Sequence, residues 1–303
     1  MSDVTRLCIY LQQPLLALAQ ANRSRVIQRI TMAMAWRGVE CELRPNTSAA
    51  RNIPEREGER RIFQQGGVEI PGALMLRSCH SEPFWQIEAS VDPWSWTATQ
   101  ARFEPETVDP DAARQFLMYR RRRLFGRRER RLEGFVAVPI SGRLARRRVH
   151  QTMSTLDMMD ALRGMEPDRD ILLTAEPEDT PSPADQEALR QVLRRHKGVR
   201  LVSGSATDLL ARCDYVVTQD SALTLDGFFM EKPSVLFAKA EFHHIAGSVP
   251  RDGIGRAFDI ARSAPPDFAR YLHWYLRGQM IDVGAEDAEQ AILARLRVLR
   301  WDI

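Results

Sequence analysis

The stretch YVVTQDSALTLDGFFMEKPSVLFA (215–238) sets two apolar, β-branched runs around the polar break Gln219-Asp220-Ser221-Ala222. A strand that hands over to a helix through such a break turns backbone N–H groups and the positive end of the helix dipole outward, which suits a phosphate. Ser221 adds a hydroxyl, and Asp220 or Ser221 would equally serve to cap the helix that they open. Two other strand ends carry similar chemistry. Glu176-Pro177 follow DILLTA (170–175), and Ser203-Gly204-Ser205 close the run VRLVSG (199–204). Small polar residues there let a nucleotide approach the backbone closely. Cations in the same region are Arg143, Arg146 and Lys232, and His243-His244 follow the last strand. Lys232 before Pro233 also suits a helix end, and either histidine could cap local backbone.

The elements that must hold these residues read as two alternating strand and helix series. The first has strands at 6–11, 39–43 and 73–78, and a helix at about 22–37 stopped by Gly38. The segment 80–108, with Trp85, Trp94 and Trp96 among prolines and acids, reads as a folded loop. From Phe135 onward the rhythm is regular: strands at 135–140, 170–175, 199–204, 215–219 and 233–238, with helices near 152–164, 183–196, 206–213 and 221–230, then 266–278 and 285–299. Alternation of this kind predicts a parallel sheet with crossover helices, whose ligands bind beyond the carboxyl ends of the strands. The expected fold class is α/β with two Rossmann-like domains, divided as 1–133 and 134–303.

Composition limits the remaining choices. With 303 residues, 44% hydrophobic and 27% charged, the chain can bury two cores. Net charge is only +3, yet arginines cluster at YRRRRLFGRRERR (119–131), including Arg120, Arg121, Arg122 and Arg123. Such a run suits an anionic polymer, phosphate groups or an anionic membrane face, or forms a solvated helix face. It lacks the aromatic interleaving of a nucleic-acid module, so nucleic acid is not the expected partner. The four cysteines are scattered and no zinc spacing joins the six histidines, which points to reduced core thiols in a cytoplasmic protein. PLLALAQA (14–21) imitates the end of a signal peptide, but Gln12-Gln13-Pro14 cut its apolar stretch, so no leader is expected. No run approaches about 18 apolar residues, so any membrane association is expected to be peripheral. A Walker glycine loop and an Asp-x-Asp doublet are missing, and no metal or cofactor is expected.

Residues 209–245, LLARCDYVVTQDSALTLDGFFMEKPSVLFAKAEFHHI, resemble the capsule polysaccharide biosynthesis proteins, a bacterial glycosyltransferase-like group that includes Kdo transferases using a CMP-activated sugar. Ser221, Asp226 and Glu231-Lys232-Pro233 stand at the places of that pattern, and LHWYLRGQMID (272–282) and FWQIE (84–88) are similar too. The resemblance implies a GT-B architecture with an acceptor-side domain (1–133), a donor-nucleotide domain (134–303), and C-terminal helices packing back across the cleft. It implies that the start of the helix after Gln219 holds the donor phosphate, with Asp220, Ser221, Ala222, Ser203, Ser205, Lys232, His243 and His244 about it. It also implies a nucleotide-sugar donor, CMP-sugar favoured, and a polysaccharide or glycolipid acceptor at the inner face of the cytoplasmic membrane, with polysaccharide-assembly proteins as partners. A transferase of this kind needs a base for the acceptor hydroxyl and positive groups for the leaving phosphate. His80, Glu82 and Asp226 are the catalytic candidates, with Asp92 and Glu88 as alternatives; Trp85 could stack on a sugar, or the aromatic cluster 84–96 forms a local hydrophobic plug; and Arg120–Arg123 could grip the acceptor or the membrane. One departure matters. The family carries His-Pro where this chain has Glu176-Pro177, and a carboxylate there repels a phosphate. A non-catalytic polysaccharide- or nucleotide-binding scaffold that keeps the fold is the alternative reading.

Overall fold

In the computed structural model the described residues are 4–54, 56–64, 70–175 and 182–301. The chain divides into two compact units, 1–100 with 275–303 and 101–274. This corrects the boundary expected at 133/134. The arginine-rich segment belongs to the second unit, and the last helix belongs to the first.

The first unit is built on a sheet of order β12-β5-β4-β3-β1-β2. Its strands are β1 (Arg6–Leu11), β2 (Glu40–Pro45), β3 (Glu59–Gln64), β4 (Leu74–Ser78), β5 (Phe84–Glu88) and β12 (Ile281–Asp282). β2, β1, β3 and β4 run parallel, whereas β5 is antiparallel to both β4 and β12. The helix Arg25–Ala35 buries Val26, Ile27, Ile30, Ala33 and Met34, spaced to form one stripe against the sheet. Each large side chain in that stripe contributes about 1.5–3 kcal/mol. Gly38, at φ +70, turns the chain out of the helix. The helix Ala288–Val298 is pinned here too: Glu289 is buried and takes two hydrogen bonds from Arg29, at 2.7 and 2.9 Å.

The second unit carries the regular α/β series. Its strands are β6 (Phe135–Ile140), β7 (Asp170–Ala175), β8 (Val199–Leu201), β9 (Tyr215–Thr218), β10 (Ser234–Leu236) and β11 (Gly247–Ser248). They pair in the order β11-β10-β9-β6-β7-β8, every pair parallel. Val136, Val138, Val217 and Val235 form the core with Met158 and Leu162 from the helix Thr155–Met165 and Phe258 from the helix Ile254–Arg262. The chain leaves β6 for β7 and β8 on one side, then returns to lay β9, β10 and β11 on the other. β6 and β9 therefore flank the topological switch point, where the two crossovers part and leave a crevice at the strand ends.

β11 depends on a glycine. A Cβ at Gly247 would lie 2.0 Å from the Ala257 carbonyl oxygen in the backbone of the helix Ile254–Arg262. Gly247→Ala must push that helix off the sheet edge and is expected to cost about 1–3 kcal/mol, read from the denaturant midpoint. An unchanged midpoint would mean that the helix is free to shift.

Candidate functional site

A polar cavity of about 200 Å³ opens in the second unit at the carboxyl ends of β6 and β9. Its wall comprises Pro139, Ile140 and Ser141 from β6 and its exit, Thr218, Gln219, Asp220, Ser221 and Ala222 from β9 and its exit, and Arg148 and Thr155. This is the switch point of the sheet. The corner that the sequence singles out at 219–222 is thus open, and the cavity accommodates a phosphate group but falls below the ~300 Å³ of a usual small-molecule pocket.

The segment after β6 is held by a chain of hydrogen bonds. Asp185 accepts from the N–H groups of Leu144 and Ala145 at 3.1 and 3.0 Å. Those bonds and its bond from Ser182 hold the Asp185 carboxyl below the ordinary range. Gln151, buried, accepts from Arg148 N–H at 2.8 Å, and Thr152 donates its N–H and hydroxyl to the Phe237 carbonyl. Lys239 N–H donates to the His150 carbonyl at 2.9 Å. The backbone of Arg148 is thereby fixed at the cavity wall. The helix Thr155–Met165 begins beside it, capped by Ser154, whose hydroxyl accepts from Asp157 N–H at 3.1 Å.

On the β9 side each polar residue has a defined partner. Asp220 meets the imidazole Nε2 of His150 at 2.9 Å, a contact that orients the carboxylate. Gln219 is buried and donates its amide to the Met153 carbonyl at 3.1 Å; this orients the side-chain oxygen, which has no hydrogen-bond partner among the described residues. An orphan acceptor in a cavity wall calls for a donor such as a ligand hydroxyl or water. Ser221 accepts from Leu223 N–H at 3.2 Å, so its hydroxyl caps the short helix Leu223–Phe229 while facing the cavity. That helix opens at Leu223, later than the sequence reading has it, and Asp220 takes no part in capping.

The wall joins one cation, Arg148, to acceptors on Asp220 and Gln219. Such a wall fits a ligand that carries a phosphate beside hydroxyl groups better than it fits a bare anion.

The remaining sequence candidates fall elsewhere. Lys232 is fully buried; its ammonium donates to the carbonyls of Cys213, at 2.6 Å, and Arg131, and does not reach the cavity. Ser203 and Ser205 lie beyond β8, on the sheet edge with β7 between them and β6, and are absent from the wall. Arg143 and Arg146 are exposed and also outside it. His244 uses both ring nitrogens: Nε2 lies 3.1 Å from the Ala101 carbonyl, to which it donates, and Nδ1 accepts from the Tyr271 hydroxyl at 3.2 Å. His243 donates from Nδ1 to the Ala240 carbonyl at 3.0 Å, and burial pushes its pKa down. His243 thus bonds local backbone, His244 ties down the distant Ala101 and Tyr271, and the two rings stack at 4.4 Å. Asp226 is half-buried in the first turn of its helix, outside the wall. Glu176 and Pro177 lie outside the described residues.

In the first unit, Trp85 is buried on β5 in the hydrophobic core, and its indole N–H donates to Glu82 at 3.1 Å. Its ring faces are taken up by packing, which corrects the expectation of sugar stacking. His80, at φ +60, meets the Ser81 hydroxyl at 3.1 Å just past β4. Of the four consecutive arginines on the helix Pro110–Phe125, Arg120 is buried and Arg121 is committed to Glu231 and the Phe229 carbonyl, which leaves Arg122 and Arg123 exposed. Among the described residues no group of three or more His, Cys, Asp or Glu could hold a metal ion, and no helix is long and apolar enough to cross a membrane.

Sequence reasoning reads the arginines that follow β6 as able to bind phosphate without singling out Arg148, and it misses the His150–Asp220 pair. The run GRLARRRVH (142–150) is visible as a cationic segment after β6. Which of its residues reaches the wall depends on the bonds of Gln151 and Asp185.

No protein-family model matches the sequence, and no curated protein matches it. Solved structures do match in fold. KpsC of Thermosulfurimonas dismutans, a β Kdo 2,7 transferase, aligns with a TM-score of 0.55 at 11% identity, over 97% of this chain and 99% of that one. A β Kdo 2,4 transferase structure of KpsC from the same organism aligns at 0.44 and 12% identity, over 88% and 89%. The first of these likenesses defines the class of fold: two α/β units with parallel-rich sheets and flanking helices, of the GT-B kind.

Proposed function

We propose that the chain is a metal-independent glycosyltransferase that moves a sugar from a nucleotide-activated donor, a CMP-sugar in first place, to a surface polysaccharide or glycolipid. The observation that carries this reading is the cavity at the β6/β9 switch point, which Arg148 lines together with Asp220 and Gln219. The GT-B-type fold supports it. Arg148 would take the donor phosphate and offset the charge that grows on it as the sugar departs, while Asp220 and Gln219 would accept from hydroxyl groups of the donor. His150 would keep Asp220 in place and lower the repulsion between its carboxylate and the phosphate.

Thermal unfolding with CMP and CMP-sugars tests the proposal. Ligand at a hundred times its Kd should add about 2.7 kcal/mol of stability and raise Tm by several degrees. Arg148→Ala, which removes one charge-assisted contact, is expected to weaken binding by about 10- to 100-fold. Ser221→Glu puts a carboxylate in the wall and should abolish the shift. If no pyrimidine or purine nucleotide sugar moves Tm, the transferase reading fails, and the scaffold that merely keeps the fold takes its place.

A further inference from the structure

We propose that the exposed face of the helix Pro110–Phe125, with the segment that follows it, docks on an anionic lipid bilayer. This goes beyond the transferase reading and does not depend on it. The helix packs one face inward and leaves the other uncovered. Its inner face buries Ala113, Phe116, Leu117, Arg120 and Phe125. Its outer face carries Met118 at 64% exposure and Tyr119 at 58%, and one turn further Arg122 and Arg123. After Gly126 turns the chain at φ +63, Arg127 and Arg130 are exposed, and Leu132 is 61% exposed.

The charges on this face are not spent within the molecule. Arg122, Arg127 and Arg130 make no ion pair or side-chain hydrogen bond among the described residues, and Arg123 bonds only the Tyr119 hydroxyl, at 3.1 Å. The neighbouring arginines differ. Arg128 pairs with Asp208, Arg131 with Glu129 and Arg212 with Glu133. The segment 118–132 thus offers four available cations and three exposed apolar or aromatic side chains. Charge complementarity selects an anionic partner, and the apolar groups select its kind. A soluble polyanion offers Met118, Tyr119 and Leu132 nothing to enter, whereas a bilayer offers an interfacial layer in which a tyrosine and short apolar side chains settle while arginines reach the headgroups.

Sedimentation with vesicles provides the test, using phosphatidylcholine alone and phosphatidylcholine with a quarter phosphatidylglycerol. The full chain is expected to bind the second and not the first, with binding that falls steeply as salt rises. Each arginine near the surface should strengthen partition roughly fivefold, so the triple variant Arg122→Glu/Arg123→Glu/Arg127→Glu should lose about 100-fold or more. Met118→Ser/Tyr119→Ser should lose about tenfold on vesicles yet bind dextran sulfate as wild type does. All five positions are exposed, and an unchanged melting temperature shows that the variants fold. Equal binding to both vesicle types, or none to either, overturns the proposal. So does an apolar double variant that binds phosphatidylglycerol vesicles as wild type does, because the face would then serve a soluble polyanion.

Discussion

Lys232→Ala is expected to destabilise the second unit by roughly 3–5 kcal/mol, the largest effect of any single replacement considered. The side chain has no solvent exposure, and its ammonium donates to the carbonyls of Cys213, at 2.6 Å, and Arg131. Those two carbonyls close the entry to β6 and the end of the helix Ala206–Arg212, and among the described residues no other side chain donates to them. Burial is the leading cause that pulls the Lys232 pKa down, yet the fixed carbonyl dipoles give the charge a site. Alanine would leave a cavity where the four-carbon stem lay and two carbonyls without a donor. Lys232→Met keeps the stem volume and loses only the donor, so it should cost less, about 1–3 kcal/mol. Urea unfolding measures both. The role assigned to Lys232 is also separable from donor binding: Lys232→Met, once folded, should keep the nucleotide-dependent rise in Tm. A methionine variant of wild-type stability that no longer responds to nucleotide would return Lys232 to the ligand site.

Why Lys232 reads so differently from sequence and from structure shows what a linear pattern can carry. β6 and β7 run from Phe135 to Ile140 and from Asp170 to Ala175, as the sequence reading has them, because a central parallel strand buried on both faces must be an apolar run. The strand ends follow from the same pattern, so Asp220 and Ser221 are found by position alone. β3 escapes that logic. Its sequence ERRIFQ places Glu59 and Arg61 in the interior, tolerable because they pair at 2.8 Å and Arg61 also donates to the Ile53 carbonyl. β5 escapes it too: Glu88 on the buried strand FWQIE is matched by Arg295, a residue 207 positions away, at 2.9 Å. No local window holds both partners. The same distance hides the site. His150 and Asp220 stand 70 residues apart, and they meet because β6 and β9 are neighbours in the sheet, which is a fact of topology and not of spacing.

Glu166 supplies the second large effect and a pH dependence with a definite sign. Its carboxylate is a buried junction: Tyr215 donates its hydroxyl at 2.5 Å, Arg262 donates at 2.9 Å and Arg169 at 3.1 Å. The contacts tie the end of the helix Thr155–Met165 to β9 and to the helix Ile254–Arg262. Burial alone would push the Glu166 carboxyl up; hydrogen bonds from Tyr215 and Arg262, with the charges of Arg262 and Arg169, outweigh it and hold the carboxyl below its ordinary range. A carboxyl whose pKa is lowered by folding contributes stability in full above its unfolded value, near 4.5, and loses it as pH falls through the folded value. Glu166→Leu strands the Tyr215 hydroxyl in the core and takes from Arg262 its carboxylate partner, while Arg169 keeps its pair with Asp214. The arginines are about a third exposed and regain some water, so the expected loss at pH 7 is roughly 2–4 kcal/mol. Glu166→Gln keeps an acceptor for Tyr215 and should lose less. The difference between wild type and Glu166→Gln, followed by denaturant unfolding from pH 7 to pH 3, should shrink once the pH drops below the ordinary carboxyl range. A difference that holds constant to pH 3 would mean that shape and hydrogen bonding, and not charge, make the junction.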